Sequence, residues 1–311
     1  MAHEVESMVS ARELPWHFGE TKDRTRIADD VMTAEEAISL AGLDWDVALK
    51  DLYVAQANGK YTKVPGNFAV ERDIDNRILG VVKSKYVPFQ NRQAFAFTDT
   101  LVDDGAAKYE TAGSLRGGKV VFLTMKVPVD MLVAGEDAHE LYIVLRTSHD
   151  GSKAVSVYLT PIRVVCMNTL ALSINSTKQK WSMPHVSTLA GKVQEARDTL
   201  ALSFKYAEEF VIMGNQLVET KITDDQMRHL VDDIMPSWRK KHEEVAESIM
   251  LLWKESPTNG YTGTAWGALN AITEYFDHGR DMRSSDSVML NTLDGESNIV
   301  RNKAAKILLS V

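Results

Sequence analysis

Glycine and basic residues are combined in one short stretch, residues 113–119, which reads Gly-Ser-Leu-Arg-Gly-Gly-Lys. Glycines allow backbone amides to approach a phosphate closely, and Arg116 and Lys119 add positive charge beside them. The stretch is not a P-loop, because it lacks the Lys-Ser/Thr ending and is followed by a strand pattern instead of a helix. A phosphate-contacting loop and a hairpin turn with solvated charges therefore both fit these residues.

Basic and aromatic residues alternate a little earlier in the chain, where Lys83, Lys85 and Arg92 surround Tyr86 and Phe89. Basic groups can follow a phosphate backbone, and an aromatic ring can stack on a base for about 1–3 kcal/mol. Rings of this kind more often anchor a core or a turn. The pattern is compatible with both roles.

Four further candidate residues, all basic, lie beyond the glycine-rich stretch. Arg146 and Arg163 lie on neighbouring predicted strands, where a solvated strand face is the ordinary role for such charges. Lys178 and Lys180 lie in a polar stretch that ends at Trp181 and could close over a nucleic acid or contact a neighbouring subunit. An ordinary exposed loop explains the same composition.

Cys166, the single cysteine, could be a nucleophile with His149 and Asp150 as its partners. It lies in an apolar strand pattern, however, where a buried thiol packs as a small hydrophobic group. The histidines are dispersed and do not show the spacing of metal ligands. We therefore expect no catalytic residue, no metal site and no cofactor, and we expect a protein that binds a partner and is not an enzyme.

The composition is that of a globular protein, since 44% of the 311 residues are hydrophobic and 25% are charged. No apolar run approaches the roughly 20 residues of a membrane span, and the first residues lack the pattern of a secretory signal. One cysteine excludes an internal disulfide framework and suits a reducing compartment. These observations predict a cytoplasmic protein that does not enter a membrane.

Charge is unevenly distributed around the net value of -8. Residues 1–60 and 206–311 are each net -6, residues 61–138 are neutral, and residues 139–205, with 8 basic and 4 acidic side chains, are net +4. The acidity of the whole chain argues against loose, non-specific binding of DNA. It is compatible with a basic groove between acidic surfaces.

The elements that would position these residues follow from local patterns. Residues 1–32 look irregular, and Thr33 with Glu36 forms a capping pattern for a helix that ends before Gly42. The middle of the chain is rich in strand patterns and contains one helix pattern. The strand patterns cover residues 68–72, 77–82, 120–127, 140–147 and 154–165, a helix covers 91–101, and 44–54 fits short strands or a helical turn.

The C-terminal third is helical, with patterns over residues 187–213, 224–235, 238–254, 264–277 and 298–309. Strands followed by a helical region predict an α+β fold, with a curved antiparallel sheet packed on helices. We expect an acidic N-terminal segment with a short helix (1–60), an α+β core (61–213) and a C-terminal helical region (214–311).

Several stretches resemble the phage/plasmid-like family of unknown function. They include Trp16-His17 and the residues at 33–37, 42–45, 86–91, 109–118, 148–152, 160–170 and 264–270. This resemblance covers nearly the whole chain. It implies a phage or plasmid setting, hence the host cytoplasm, but no biochemical role.

The order of helix, strands and long helix over residues 91–213 is also similar to the core of phage single-strand annealing recombinases of the RecT and Redβ type. In that fold a curved sheet packs on a helix, a basic groove holds the DNA backbone, and the proteins form rings or filaments. The similarity is topological and includes no motif.

These patterns lead to the hypothesis that the chain binds single-stranded DNA, forms a homo-oligomer and anneals strands without ATP. The expected nucleic-acid contacts are Lys83, Lys85, Arg92, Arg116, Lys119, Arg146, Arg163, Lys178 and Lys180. A structural or interaction protein of a phage or plasmid, such as an assembly factor or a host-defence antagonist, is the alternative. An enzyme whose site shows no motif is the third.

Overall fold

The architecture is that of a computed structural model, which describes residues 5–11, 25–101, 108–163, 180–185, 203–235, 242–279 and 295–311 and the single positions 192, 195, 198 and 293. Within these residues the chain forms ten strands in two sheets, together with seven helices. The α+β class predicted from the sequence is confirmed.

The larger sheet has seven strands and places most of the predicted contact residues. Its strands are β1 (Val5–Ala11), β2 (Thr25–Ala28), β6 (Tyr109–Leu115), β7 (Val120–Val133), β8 (Asp137–Ser148), β9 (Val155–Arg163) and β10 (Lys180–Met183). Their order across the sheet is β10-β9-β8-β7-β6-β1-β2. Neighbouring strands are antiparallel except β1 and β2, which are parallel.

The smaller sheet has three antiparallel strands, β3 (Val47–Ala55), β4 (Tyr61–Arg72) and β5 (Ile78–Lys83), in that order. The β4–β5 hairpin was predicted from the sequence, and its turn places Asn76 at a φ of 55°. This sheet packs at the end of the larger sheet where the β6–β7 and β8–β9 turns lie. Gly80 of β5 meets the backbone of Asp150 there, and Gly118 meets Arg72.

The helices agree with the predicted order. They are α1 (Ala34–Leu40), α2 (Asn91–Leu101), α3 (Ser203–Glu219), α4 (Asp224–Ile234), α5 (His242–Glu255), α6 (Ala265–Glu274) and α7 (Glu296–Leu308). The capping box of α1 is present, since Glu36 N donates to Thr33 Oγ1 (3.4 Å) and Thr33 N donates to Glu36 Oε2 (2.9 Å). A π-helical turn, Tyr275–Gly279, continues α6.

One hydrophobic cluster runs from Val9 to Leu308 and joins both sheets to the helices. Every residue of α6 from Ala265 to Thr273 is buried, which makes this helix the centre of the C-terminal part. The Trp266 indole donates to Asp137 Oδ2 (2.8 Å) and thereby links α6 to β8.

The prediction that residues 1–32 are irregular is wrong for β1 and β2. Val5 pairs with Leu115 and Ser10 with Thr111, so β1 lies inside the larger sheet. Its sequence, Val-Glu-Ser-Met-Val-Ser-Ala, lacks a clean alternation because both of its faces contribute buried side chains. Its partner β6 lies more than 100 residues away, and no local pattern shows that pairing.

Two of the predicted boundaries between regions of the chain fall inside structural elements. Lys60 closes the turn between β3 and β4, and Met213 lies inside α3, so the predicted limits at 60 and 213 fall within a hairpin and a helix. The predicted long helix over 187–213 is described continuously from Ser203, with Glu195 and Asp198 also helical before it, and it continues to Glu219. The independence of the three predicted regions stays a prediction.

Candidate nucleic-acid interface

The glycine-rich stretch divides between strand β6 and the turn that joins β6 to β7. Arg116, Gly117 and Gly118 take φ values of 56°, 65° and 88° in this turn, a conformation that favours glycine. A Cβ atom on Gly117 would lie 2.8 Å from Nη1 of Arg77. One on Gly118 would lie 2.6 Å from Nη1 of Arg72. The two glycines therefore give room to arginines of the smaller sheet, a structural use that the sequence did not indicate.

Those arginines belong to a compensated ion network. The Arg72 guanidinium donates to both carboxylate oxygens of Glu6 (2.8 and 2.9 Å) and to both of Asp75 (2.9 and 2.7 Å). The hydrogen bonds to Asp75, followed in size of effect by those to Glu6, raise the pKa of Arg72. The same contact lowers the pKa of Asp75 to about 2. Arg116 and Lys119 are half-buried beside this network.

The three earlier basic residues are exposed at the start and end of their elements. Lys83 ends β5 and donates from Nζ to Asn67 Oδ1 (2.8 Å), while Lys85 lies two residues further on. Arg92, in the first turn of α2, forms an exposed ion pair with Asp44. Their exposure is compatible with contacts to a polyanion.

The two aromatic residues interleaved with them are anchors. Phe89 is buried and packs edge-on against Phe97. The half-buried Tyr86 donates its hydroxyl to the carbonyl of Ser148 (3.0 Å) and stacks on His185. The sequence allowed two roles for these rings, base stacking or packing inside the protein. Both rings have the packing role.

The remaining predicted contacts are spread along the larger sheet. The Arg146 guanidinium lies over the Tyr158 ring (5.3 Å) and is 1% exposed, so a surface ligand reaches it only after rearrangement. Lys180, on the edge strand β10, places Nζ 5.1 Å from the centre of the same ring. The backbone of Arg163 pairs with His139, about 23 Å along β8 from Arg146 at about 3.3 Å per residue. Lys178 lies outside the described residues.

The distal part of the β3–β4 hairpin, residues 51–66, forms a surface that the sequence analysis missed. We call it the ribbon. β5 pairs only with residues 67–71 of β4, so the ribbon extends beyond the third strand, and none of its residues is buried. Gln56 N donates to Lys60 O (2.7 Å), and Gly59, at a φ of 77°, supplies the left-handed residue of the turn. Asn58-Gly59 was the available signal for this hairpin.

One face of the ribbon displays two tyrosines and a lysine. Tyr53 pairs with Lys63, and Ala55 pairs with Tyr61, so the side chains of Tyr53, Tyr61 and Lys63 point to the same side. Tyr53 is 55% and Tyr61 73% exposed. Directly opposite side chains lie roughly 5 Å apart and diagonal ones about 7–8 Å apart, so the two rings are neighbours.

The ribbon is basic in an acidic chain. Residues 51–66 contain Lys60 and Lys63 against Asp51, a net charge of +1, whereas the whole chain is net -8. Lys63 Nζ contacts Asp51 Oδ2 at 2.7 Å, and this hydrogen bond raises the pKa of Lys63. Lys83, bonded to Asn67, adds a further positive charge at the base of the ribbon.

The residues considered for catalysis or metal binding are only partly described. Cys166 lies outside the described residues, so its proposed partnership with His149 stays untested. Asp150 accepts from the Ser152 N–H (2.8 Å), which is a turn contact. Across the described ranges no group of three or more His, Cys, Asp and Glu side chains is placed to hold a metal ion. None of the described helices is long and apolar enough to cross a membrane.

The fold and the ribbon together define an α+β protein with an exposed basic and aromatic hairpin. The chain belongs to the family described as Domain of unknown function (DUF932), whose model matches residues 78–305. No curated protein and no solved structure matches the chain. The family match begins at the first residue of β5, so the ribbon precedes it. The phage/plasmid-like and annealing-recombinase resemblances stay expectations.

Proposed function

We propose that this chain binds single-stranded DNA by stacking bases on the ribbon and that it anneals complementary strands without ATP, in a phage or plasmid setting. The supporting observation is the exposed face on which Tyr53, Tyr61 and Lys63 lie together. Every base has a π-face, so such a platform binds with little sequence preference. The lysine attracts the backbone that connects the bases.

The chemistry favours a single strand over a duplex. Bases in a duplex are already stacked on each other, and their faces reach a tyrosine only after unstacking. The acidic remainder of the chain disfavours unspecific binding of a rigid polyanion, because much of its length would lie against negative charge. A flexible single strand can follow the ribbon and reach Lys83, the lysine bonded to Asn67 where the ribbon joins the rest of β4.

Fluorescence anisotropy of a labelled oligo(dT), across a salt series, tests the proposal. Tyr53→Ala and Tyr61→Ala are each expected to weaken binding by about 5- to 150-fold, the equivalent of one lost stack. The Tyr→Phe variants keep the ring and should retain most of the affinity. Val54→Ala and Thr62→Ala, on the opposite face of the same ribbon, are the matched controls. Equal affinity in wild type and both Tyr→Ala variants contradicts the ribbon site.

A second pair of variants separates the ribbon from the interface predicted by sequence. Changing Arg116 and Lys119 together to Ala lowers the log–log salt slope by about 1 to 1.5 if the glycine-rich turn contacts DNA. The ribbon site predicts no change for this pair and a loss of about 0.7 for Lys63→Gln. An annealing assay with complementary oligonucleotides, without ATP, then tests the second half of the proposal.

Exposed apolar residues favour the alternative, a phage or plasmid interaction protein that does not bind DNA. Val54 is 53%, Ile78 49% and Val81 57% exposed, all on the smaller sheet. Exposed apolar surface of this kind often marks a protein contact. Absence of oligo(dT) binding at low salt would leave this alternative in place. Light scattering tests the accompanying proposal that the chain forms a homo-oligomer.

A further inference from the structure

Two buried histidines lie beside the contact between the smaller sheet and the end of the larger sheet, which Gly80 makes with Asp150 and Gly151 makes with Val82. His149 follows β8 and is 0% exposed, and its backbone N–H donates to the carbonyl of Lys119 (2.8 Å). His185 follows β10 and is 7% exposed, and its carbonyl accepts from the N–H of Val87 (2.5 Å). The His149 backbone bond thus continues the β7–β8 pairing, whereas the His185 bond joins the end of β10 to the segment after β5.

The hydrogen bonds of Asn91 assign the protonation of His149. The Asn91 amide nitrogen donates to the carbonyls of Leu43 (3.0 Å) and Trp45 (3.3 Å), so its oxygen faces His149 Nε2 at 2.9 Å. An amide oxygen only accepts, and therefore Nε2 carries the proton. In the part of the chain that the structure describes, the buried Nδ1 atom of His149 has no hydrogen-bond partner. The histidine is neutral in this arrangement.

His185 sits beside the same strand end. Its Nε2 lies 3.4 Å from Thr147 Oγ1, and the Tyr86 ring stacks on it with centroids 4.9 Å apart. Tyr86 also donates to the carbonyl of Ser148 (3.0 Å), the residue before His149. Three side-chain hydrogen bonds therefore converge on residues 147–149, from α2, from the segment after β5 and from the residues after β10.

The charges around His149 disfavour a second proton. Burial is the main cause that lowers its pKa, to about 3, and the neighbouring His185 and Arg72 act in the same direction. The Arg72 guanidinium lies over the Trp45 ring, and this ring in turn contacts the His149 ring edge-on at 5.0 Å. Asp150 opposes these effects.

His185 is in a similar position, but more groups around it oppose the effect of burial. Burial lowers its pKa, while the carbonyls of Val87 and Lys153 and the Asp150 carboxylate act against burial. Tyr86, whose own pKa burial raises above its ordinary value, contributes no negative charge to this contact near neutral pH. Both histidine rings are therefore more stable in their uncharged form at this contact.

We propose that this contact is an acid-sensitive latch, in which a second proton on His149 releases the smaller sheet, with its ribbon, from the end of the larger sheet. The imidazolium would place a buried Nδ1–H donor where no described acceptor is in reach, beside Arg72 and His185. Separation of the sheets lets water solvate that donor and leaves the strand pairing of the larger sheet intact. The latch does not depend on whether the ribbon binds DNA.

Hydrogen exchange of the whole chain at pH 7.5 and pH 4.5, corrected for the chemical exchange rate, tests the latch. An imidazole with a pKa of 6.5 in the open form and about 3 in the latched form shifts the equilibrium roughly 100-fold toward opening between these pH values. We expect that loss of protection in β4 and β5, with β7 and β8 unchanged. Loss in all four strands together, or in none, overturns the proposal.

Two variants complete the test. His149→Gln removes the larger titration and should strongly reduce the change in protection of β4 and β5 between these two pH values, with the remainder belonging to His185. His229→Gln, on the exposed side of α4, is the matched control and should behave as wild type. If His149→Gln does not fold, the ring titration of His149 in the wild type, followed by NMR, decides: protonation while β4 and β5 stay protected also overturns the latch.

Discussion

Gly80 lies so close to Asp150 that a Cβ atom on Gly80 would be 2.6 Å from the Asp150 Cα atom. β5 and the β8–β9 turn therefore meet backbone to backbone. This contact sets the distance between the smaller sheet and the end of the larger sheet. Gly151 repeats the contact from the other side, since a Cβ there would lie 3.0 Å from Val82 Cγ1. The proposed latch and the direction of the ribbon both depend on this contact.

Gly80→Ala should destabilise the protein, because neither backbone can give way without moving a sheet. We expect a loss of about 1–3 kcal/mol in the free energy of unfolding, measured in urea. Gly260→Ala is the matched control, since nothing lies within 4 Å of a Cβ atom at that position. Equal midpoints for the two variants would show that the sheets are not held this closely.

Asp277→Asn should lower the free energy of unfolding much more than Asp44→Asn, the corresponding change in an exposed ion pair. Asp277 and Arg301 join the π-helical turn to α7, and both side chains are 0% exposed. Removing one charge of a buried, hydrogen-bonded pair typically costs about 3–5 kcal/mol. Asp44→Asn removes the partner of Arg92 in a pair that is 62% exposed on both sides, where about 0–1 kcal/mol is expected. Thermal unfolding of the two variants compares them directly.

Asp51→Asn should strengthen binding of single-stranded DNA. In the free protein the Asp51 carboxylate bonds Lys63 at 2.7 Å and competes with a phosphate for that lysine. Without it, we expect about two- to fivefold higher affinity and a steeper salt dependence. Asp73→Asn, in the turn at the other end of β4, is a control for the change in net charge. Unchanged affinity in Asp51→Asn would separate Lys63 from the binding surface.

The Asp75 carboxyl should titrate with a midpoint near pH 2 in a carbon NMR titration, against an ordinary pKa of 3.8. A pKa lowered in the folded state stabilises the protein above the ordinary value, and this stabilisation is lost as the pH falls from about 4 to 2. Arg72→Gln removes the main cause and should move the midpoint upward. Arg92→Gln, far along the chain on α2, should leave it in place.

The sequence by itself determined the elements whose signals are local. The capping box of Thr33 and Glu36 predicted α1, the turn before Arg77 predicted the β4–β5 hairpin, and apolar periodicity predicted the C-terminal helices. It also separated the acidic ends from the basic middle. These features depend on residues a few positions apart, and their energies are decided within one turn or one hairpin.

Only the tertiary structure decided which of the chemically suggestive residues are available. Arg146 is buried over Tyr158, the glycines at 117 and 118 receive arginine side chains, and Tyr53 and Tyr61 are left exposed. β1 became a strand because it pairs with β6, which lies more than 100 residues further along the chain. Exposure and pairing depend on which distant segments pack together, and no local pattern contains that information.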